Sequence, residues 1–131
     1  MGLYNFQKRF VPFILSGAKT HTIRAHRAHP DKPGNTLHLY TGLRRKGARL
    51  LMRVSCAKVD EIHIRLCNGW HFAIAINGID LDDTEMEYLA QRDGFTNCAD
   101  MLAFWNGRLP FEGQIIHWTF EAAWGVRRKR G

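Results

Sequence analysis

The chain has 131 residues, of which 45% are hydrophobic and 24% are charged. This length suits one domain with its own core, and the composition excludes a disordered chain. No apolar run approaches the roughly 20 residues of a membrane-crossing helix, and the first nine residues lack the apolar stretch of a secretory signal. Three cysteines (Cys56, Cys67 and Cys98) without a closely spaced pair exclude a disulfide framework, so we expect a protein of the reducing cytoplasm.

Basic residues concentrate in the first half of the chain. The whole sequence carries 19 Lys and Arg against 12 Asp and Glu. Residues 1–58 hold twelve of the basic residues and a single acid, Asp31, whereas residues 59–131 hold seven basic and eleven acidic residues. A basic segment of this strength favours a polyanionic or phosphate-bearing partner. The alternative is a solvated surface kept positive for solubility.

The first half predicts one short helix followed by strands. Residues 10–15 (FVPFIL), closed by Ser16 and Gly17, predict an amphipathic helix that ends at a glycine. Residues 19–24 (KTHTIR) predict a strand because threonine and isoleucine favour an extended chain. One side of this strand would carry Thr20, Thr22 and Arg24. The other side would carry Lys19, His21 and Ile23. Residues 26–35 predict a loop, residues 36–40 a strand, and residues 44–49 (RRKGAR) a basic hairpin tip.

The second half predicts further strands and two helices. Residues 50–64 predict one or two strands, and residues 70–76 predict another, with an Asn-Gly turn at 77–78. Residues 82–84 predict the cap of a helix over 85–92 that Gly94 ends, and Thr96 or Asn97 caps a helix over 99–106. Residues 114–122 predict a last strand. Five or six strands with about three short helices predict an α+β domain over residues 1–125, arranged as a small mixed barrel, with a basic tail at 126–131.

Residues 17–24 (GAKTHTIR) form the densest cluster of reactive side chains. A lysine can serve as a polarising cation, or as a general base if burial lowers its pKa. A threonine hydroxyl becomes a nucleophile when a base lies within hydrogen-bond reach, and an arginine offers a planar fork to a carbonyl, phosphate or carboxylate. The alternative is an exposed edge strand that its charges keep soluble.

The order of motifs resembles that of ASCH domains, which belong to the PUA-like superfamily. The motif G-x-K-T-x-T-x-R follows a helix of the F-x-x-x-I-L-x-G type within residues 10–24. Segments similar to the family's later motifs follow in the family's order: GNTL (34–37), LAQRDGF (89–95), MLAFW (101–105) and GQIIHW (113–118). Asn35 stands where the family usually has aspartate. The resemblance runs from about Phe6 to Phe120.

This resemblance implies a PUA-like β-barrel with a positively charged cleft, a fold otherwise known for binding RNA. Small stand-alone ASCH proteins remove the acetyl group from N4-acetylcytidine, whereas others bind RNA or cleave single strands. In the hydrolases the catalytic set is a lysine, a threonine and a glutamate, which match Lys19, Thr22 and Asp93 here. Aspartate is one methylene shorter than glutamate, so its carboxylate must reach the same place by another path.

Two routes to amide hydrolysis are open to these residues. Thr22 could attack the substrate after Lys19 takes its proton, or Asp93 could activate a water while Lys19 or Arg24 stabilises the oxyanion. We favour the water route, since a carboxylate close to Lys19 would keep the lysine charged and unable to act as a base. A negative charge at a helix C-terminus costs ~0.3–1 kcal/mol, which indicates a partner cation for Asp93.

The remaining candidate residues are contacts to substrate or nucleic acid. Candidate substrate contacts are Arg24, Thr20, Phe10 and Tyr40. Candidate nucleic-acid contacts are Arg44, Arg45, Lys46 and Arg49. His26 and His29 lie on a proline-rich loop without matching carboxylates, so we expect no metal and no cofactor. The expected partner is a modified pyrimidine nucleoside or single-stranded RNA, and we expect no membrane.

Overall fold

The computed structural model of the chain describes residues 2–43, 46–67 and 71–120. Within these residues lie seven strands and three helices, and a 3₁₀ turn at Lys8–Phe10 precedes the first helix. In chain order they are β1 (Gly2–Phe6), α1 (Val11–Ser16), β2 (His21–Arg24), β3 (Thr36–Thr41), β4 (Arg49–Cys67), β5 (His71–Ile76), β6 (Ile79–Asp80), α2 (Asp83–Arg92), α3 (Cys98–Trp105) and β7 (Phe111–Phe120). The strands form one mixed sheet in the order β1-β3-β4-β5-β6, and β7 pairs with β2 and β4.

The contacts of the chain divide it into two compact units. The first takes its described residues from Met1–Thr20, Asp31–Val59 and His117–Gly131, and the second from His21–Pro30 and Asp60–Ile116. Strands β4 and β7 each contribute residues to both units.

The first unit is built on β1, β3 and the first part of β4. β1 pairs with β3 in parallel, from Gly2 opposite Leu37 to Phe6 opposite Thr41, and β3 pairs antiparallel with β4. Alternate side chains are buried along each strand, because successive residues point to opposite faces. The buried apolar side chains of this unit are Tyr4, Phe6, Phe10, Ile14, Leu37, Leu39, Val54, Cys56 and Trp118.

A buried hydrogen bond ties the loop before β3 to β1 in this unit. The Tyr4 hydroxyl donates to Asp31 Oδ2 at 2.5 Å, and Asp31 is 8% exposed. A Cβ atom on Gly2 would lie 2.5 Å from the same carboxylate oxygen, so β1 needs a residue without a side chain at this position. The only acid in the basic half of the sequence is therefore an interior group with a defined partner.

The second unit combines a hairpin with two helices. β4 and β5 pair antiparallel from Ile62 opposite Ile76 to Cys67 opposite His71, and β6 pairs with the end of β5. Asn77 and Gly78 connect β5 to β6 with positive φ angles of 51° and 83°, the backbone that an Asn-Gly turn supplies. The Asn77 side chain donates to Asp60 Oδ1 and accepts from the Glu61 amide, which fixes the turn against β4.

Side-chain caps begin both helices of the second unit. Asp82 and Glu85 form a capping box, each side chain accepting from the other's backbone amide at 2.8–2.9 Å. Asn97 caps α3 by accepting from the Asp100 amide at 2.9 Å. The helices bury Met86, Ala90, Met101 and Trp105. Asp93 caps the C-terminal end of α2, directly after Arg92. Gly94 follows it with a φ of 100°.

Most of the predicted elements are confirmed. The helix at 10–15, the strands at 19–24 and 36–40, both capped helices and the Asn-Gly turn all lie where the sequence places them, within a few residues. Residues 49–67 form one strand rather than two. The α+β class is confirmed, with seven strands in place of five or six because β1 and β6 were not predicted. Over the described residues the sheet is not closed, so the barrel stays a prediction.

Four predicted features fall wholly or partly outside the described residues. They are the tip residues Arg44 and Arg45, the start of the strand at Trp70, the last two residues of the strand at 114–122, and the basic tail at 126–131. Among the helices described, none has the length and apolar character to cross a membrane.

We predict that Tyr4→Phe destabilises the protein by about 1–3 kcal/mol, because it leaves the buried Asp31 carboxylate without its phenolic donor. Tyr88→Phe is the matched control. Tyr88 is 60% exposed, so its loss of a hydroxyl should change the free energy of unfolding by less than about 0.5 kcal/mol. Chemical denaturation measures both values, and equal stabilities of the two variants would contradict the prediction.

Candidate active site

The turn between α1 and β2 begins the predicted reactive segment. Gly17 ends α1 with a left-handed φ of 86°, and its amide donates to the Ile14 carbonyl at 3.2 Å. The Lys19 amide donates to the Phe13 carbonyl at 2.9 Å, which ties the first residue of the KTHTIR segment to the helix. This turn holds the backbone of Lys19 in place.

Lys19 is an interior lysine of the first unit. It is 3% exposed, and its ammonium nitrogen lies 5.1 Å from the ring centroid of Phe10 and 5.9 Å from that of Phe6. Aromatic faces carry partial negative charge, so these rings offset part of the cost of taking the ammonium out of water. The sequence predicted Phe10 as a substrate contact; in the structure Phe10 is buried and lies against the Lys19 ammonium.

The other predicted residues of the first unit lie along strands or just before them. Thr20 is half-buried, and its carbonyl accepts from the Trp118 amide at 2.9 Å. Tyr40 is half-buried on β3, at the irregularity where the register with β4 shifts between Leu39 and Tyr40. Lys46 and Arg49 are exposed beside Gly47, which has a φ of 83°. The described part of the predicted hairpin tip therefore presents its charges to solvent.

In the second unit the structure brings Thr22 and Arg24 together. Arg24 Nε donates to Thr22 Oγ1 at 3.0 Å, and Thr22 is 4% exposed. The shared face predicted from residues two apart is thus observed as a direct contact. The bond occupies one lone pair of the Thr22 oxygen and leaves its hydrogen to be donated elsewhere.

The second unit also brings His21 and Asp93 together. His21 Nε2 lies 3.1 Å from Asp93 Oδ1, and the two side chains are 3% and 8% exposed. The separation is within ion-pair range, but the geometry at Nε2 does not meet that of a hydrogen bond. A buried carboxylate needs such a neighbour, because an unpaired one is expensive to take out of water.

Thr22 and Asp93 engage different faces of β2. Successive side chains of a strand point to opposite sides, so His21 and Ile23 leave β2 on one face while Thr22 and Arg24 leave it on the other. His21, Thr22 and Ile23 are all buried. β2 is therefore a doubly covered strand with a polar pair on each face, rather than the exposed edge strand that was the alternative interpretation.

His21 is the residue that sequence reasoning missed. The sequence placed it on one side of the predicted strand, with Lys19 and Ile23, but did not indicate it as a partner of Asp93. The available signal was its place on the side of the predicted strand that also carries the apolar Ile23. The sequence indicated a partner cation for Asp93, and in the second unit its carboxylate lies against the imidazole of His21.

Two cysteine thiols are held protonated at neutral pH. Burial, with the nearby charge of Glu87, raises the pKa of the Cys98 thiol to about 11. Burial, with the charge of Asp31, also raises the pKa of the Cys56 thiol. Since the thiolate is the nucleophile and the metal ligand, these two residues are poor candidates for covalent catalysis.

A polar groove of about 400 Å³ opens in the second unit. It is lined by His26, Glu61, Ile62, His63, Arg65, Ala75, Gly78, Asp80 and Glu112. Hydrogen bonds from His26 at 2.7 Å and from Gln114 at 3.2 Å lower the pKa of Glu61. The charged side chains that line the groove are paired with one another and are largely exposed. Nowhere in residues 2–43, 46–67 and 71–120 does a group of three or more metal-binding side chains come together.

Comparison with known proteins gives no match: no protein-family model, curated protein or solved structure matches the chain. Family membership and function are therefore proposals that rest on the motifs and on the contacts described above.

Proposed function

We propose that the chain is an ASCH-type amide hydrolase that removes the acetyl group from N4-acetylcytidine or a related acylated pyrimidine nucleoside, and that its sheet belongs to a PUA-like barrel. One observation carries the proposal. In the part of the chain that the structure describes, five polar residues are buried: Lys19, His21, Thr22, Asp31 and Asp93. Three of them are the residues that the motif resemblance assigns to catalysis. Buried polar groups are costly, and proteins concentrate them at functional sites.

In the proposed reaction Asp93 is the general base. A water oxygen bonds to the carbonyl carbon of the acetyl group while Asp93 accepts one of its protons. A fixed cation stabilises the charge on the carbonyl oxygen. Of the two cations that the sequence offers, Arg24 belongs to the same unit as Asp93, whereas Lys19 belongs to the first unit. The carbon–nitrogen bond then breaks, and the exocyclic nitrogen takes the proton from Asp93. Water has been added across the amide, and cytidine and acetic acid leave.

The water route agrees better with the contacts of Thr22 than a nucleophilic threonine does. A nucleophilic hydroxyl needs a base within hydrogen-bond reach, whereas the contact observed at Thr22 is with the Arg24 guanidinium, which does not accept protons. We assign Thr22 and Arg24 to substrate binding, with the hydroxyl donating to the substrate. Because they leave β2 on the face opposite to that of His21 and Asp93, the substrate would have to lie across one edge of the strand.

We predict that Asp93→Asn lowers kcat/KM for N4-acetylcytidine by about 100-fold or more, the usual loss for a general base. Asp31→Asn is the matched control, since Asp31 is a similarly buried acid that the reaction does not use. It should stay within about threefold of the wild type once folding is verified, because less than ~1 kcal/mol of transition-state stabilisation is at stake. Chromatography of released cytidine gives the rates. Wild-type turnover no faster than that of Lys19→Ala would refute the proposed function.

Thr22→Val separates the two chemical routes. The substitution keeps the shape of the side chain and removes its hydroxyl. On the water route we expect a loss of about 10-fold in kcat/KM, equivalent to one hydrogen bond to the substrate. Complete loss of turnover, together with trapping of an acetylated protein in the wild type by mass spectrometry, would instead assign the nucleophile to Thr22.

Binding of single-stranded RNA, with or without its cleavage, is the second candidate function. The observation that favours it is the exposure of Lys46 and Arg49 in the basic segment, which a nucleoside substrate would not need. Phosphate contacts release counterions, so affinity should fall linearly on a log–log plot against salt.

We predict that Lys46→Ala and Arg49→Ala each reduce the slope of that plot by about 0.7, the value for one lost contact to a single strand. Fluorescence anisotropy with a labelled oligonucleotide measures the slope. Lys58→Ala is a comparison at an exposed lysine of β4 outside the predicted contacts. An affinity that does not change with salt would exclude this function. If RNA is cleaved, Lys19→Ala should abolish the cleavage, and activity that persists would come from a contaminant.

A further inference from the structure

His21 is a buried titratable residue to which the proposed hydrolysis gives no task. It is 3% exposed at the start of β2. Its Nε2 faces Asp93 Oδ1 at 3.1 Å, and both residues lie in the second unit. Replacing a buried histidine by an apolar residue would spare the protein the cost of desolvating an imidazole. A histidine buried at this position therefore needs a partner or a task.

The position of Asp93 is not explained by its own helix. Its amide donates to the Leu89 carbonyl, and it ends α2, where the negative end of the helix dipole disfavours a carboxylate. Its side chain is nevertheless directed into the interior, at 8% exposure, rather than into solvent. Within the second unit that carboxylate lies against His21. The imidazole is thus positioned to determine where the Asp93 oxygens point.

We infer that His21 is the positioning residue for Asp93: its Nε2–H holds Oδ1, so that the carboxylate keeps one orientation while it accepts the proton of the attacking water. This inference rests on the proposed function. A carboxylate has about four acceptor positions, and His21 takes one of them. Aspartate has one fewer rotatable bond than the glutamate of the resembled family, and the contact with His21 restricts one of the two that remain.

Proton transfer follows the scheme of the proposed hydrolysis and adds no reactant. The water proton moves to Asp93, the oxygen–carbon bond forms, the carbon–nitrogen bond breaks, and the proton moves on to the leaving nitrogen. His21 keeps its Nε2 proton throughout and touches Asp93 rather than the reacting atoms. Catalytic hydrogen bonds are often poorly aligned in a free enzyme and form fully only when substrate binds. At His21 the 3.1 Å separation is in place, whereas the hydrogen-bond alignment is not.

The experiment compares two substitutions that differ in a single property. Glutamine places an amide N–H near the position of Nε2, so His21→Gln keeps the donor, whereas His21→Leu keeps the bulk and removes the donor. We expect His21→Gln to stay within about threefold of the wild-type kcat, and His21→Leu to lose about 10–100-fold in kcat with KM unchanged, the usual effect of removing an orienting partner. His63→Gln, at a partly exposed histidine of β4, is the control and should leave kcat unchanged.

Each alternative result has a defined meaning. Wild-type kcat in His21→Leu, or equal losses in the two His21 variants, would overturn the positioning role while leaving the proposed hydrolysis intact. Absence of turnover in the wild type would overturn the proposed function and this inference together. If His21→Leu does not fold, NMR of the His21 ring nitrogens in the wild type tests the inference instead. We expect the Nε2 resonance to carry a proton and to shift in Asp93→Asn, and an unchanged resonance would overturn the inference.

Discussion

Alternation along one short strand governs how polar groups are arranged in this protein. β2 has only four residues, and its first three are buried, so both of its faces are covered. On one face Thr22 meets Arg24, and on the other His21 meets Asp93. A shift of one residue in the register of β2 would exchange the two faces: it would separate His21 from Asp93 and carry Thr22 and Arg24 together to the opposite face. The surroundings of both polar pairs therefore depend on the register of β2.

The buried polar side chains are stabilised by contacts of different kinds. Asp31 accepts from a phenol, Asp93 faces an imidazole, Thr22 accepts from a guanidinium, and Lys19 lies against two aromatic rings. Replacing buried pairs of this kind by apolar side chains is often neutral or stabilising in proteins. Stability alone is thus a weak reason for such groups, and a chemical task is a stronger one for Lys19, Thr22 and Asp93.

The elements that could be predicted from the sequence are those specified by interactions between residues close together in the chain. The glycine after α1, the Asp82 and Asn97 caps and the Asn-Gly turn satisfy backbone groups within a few residues, so they are readable without the fold. β1 was not predicted, because Leu3 is apolar but 42% exposed and thereby hides the alternation of the buried Tyr4 and Phe6. The pairing of His21 with Asp93 joins residues 72 positions apart, and no pattern within either segment encodes that distance.

The Asn77–Gly78 turn has a consequence for the chemical lifetime of the protein. In a flexible chain, the Gly78 nitrogen of an Asn-Gly pair attacks the side-chain carbonyl of the asparagine and expels ammonia, leaving isoaspartate after hydrolysis. Here the carbonyl oxygen of Asn77 accepts from the Glu61 amide, and its nitrogen donates to Asp60. Ring closure must first break both bonds, so the folded hairpin slows this form of ageing. Isoaspartate accumulating at residue 77 would record how often the turn detaches from β4.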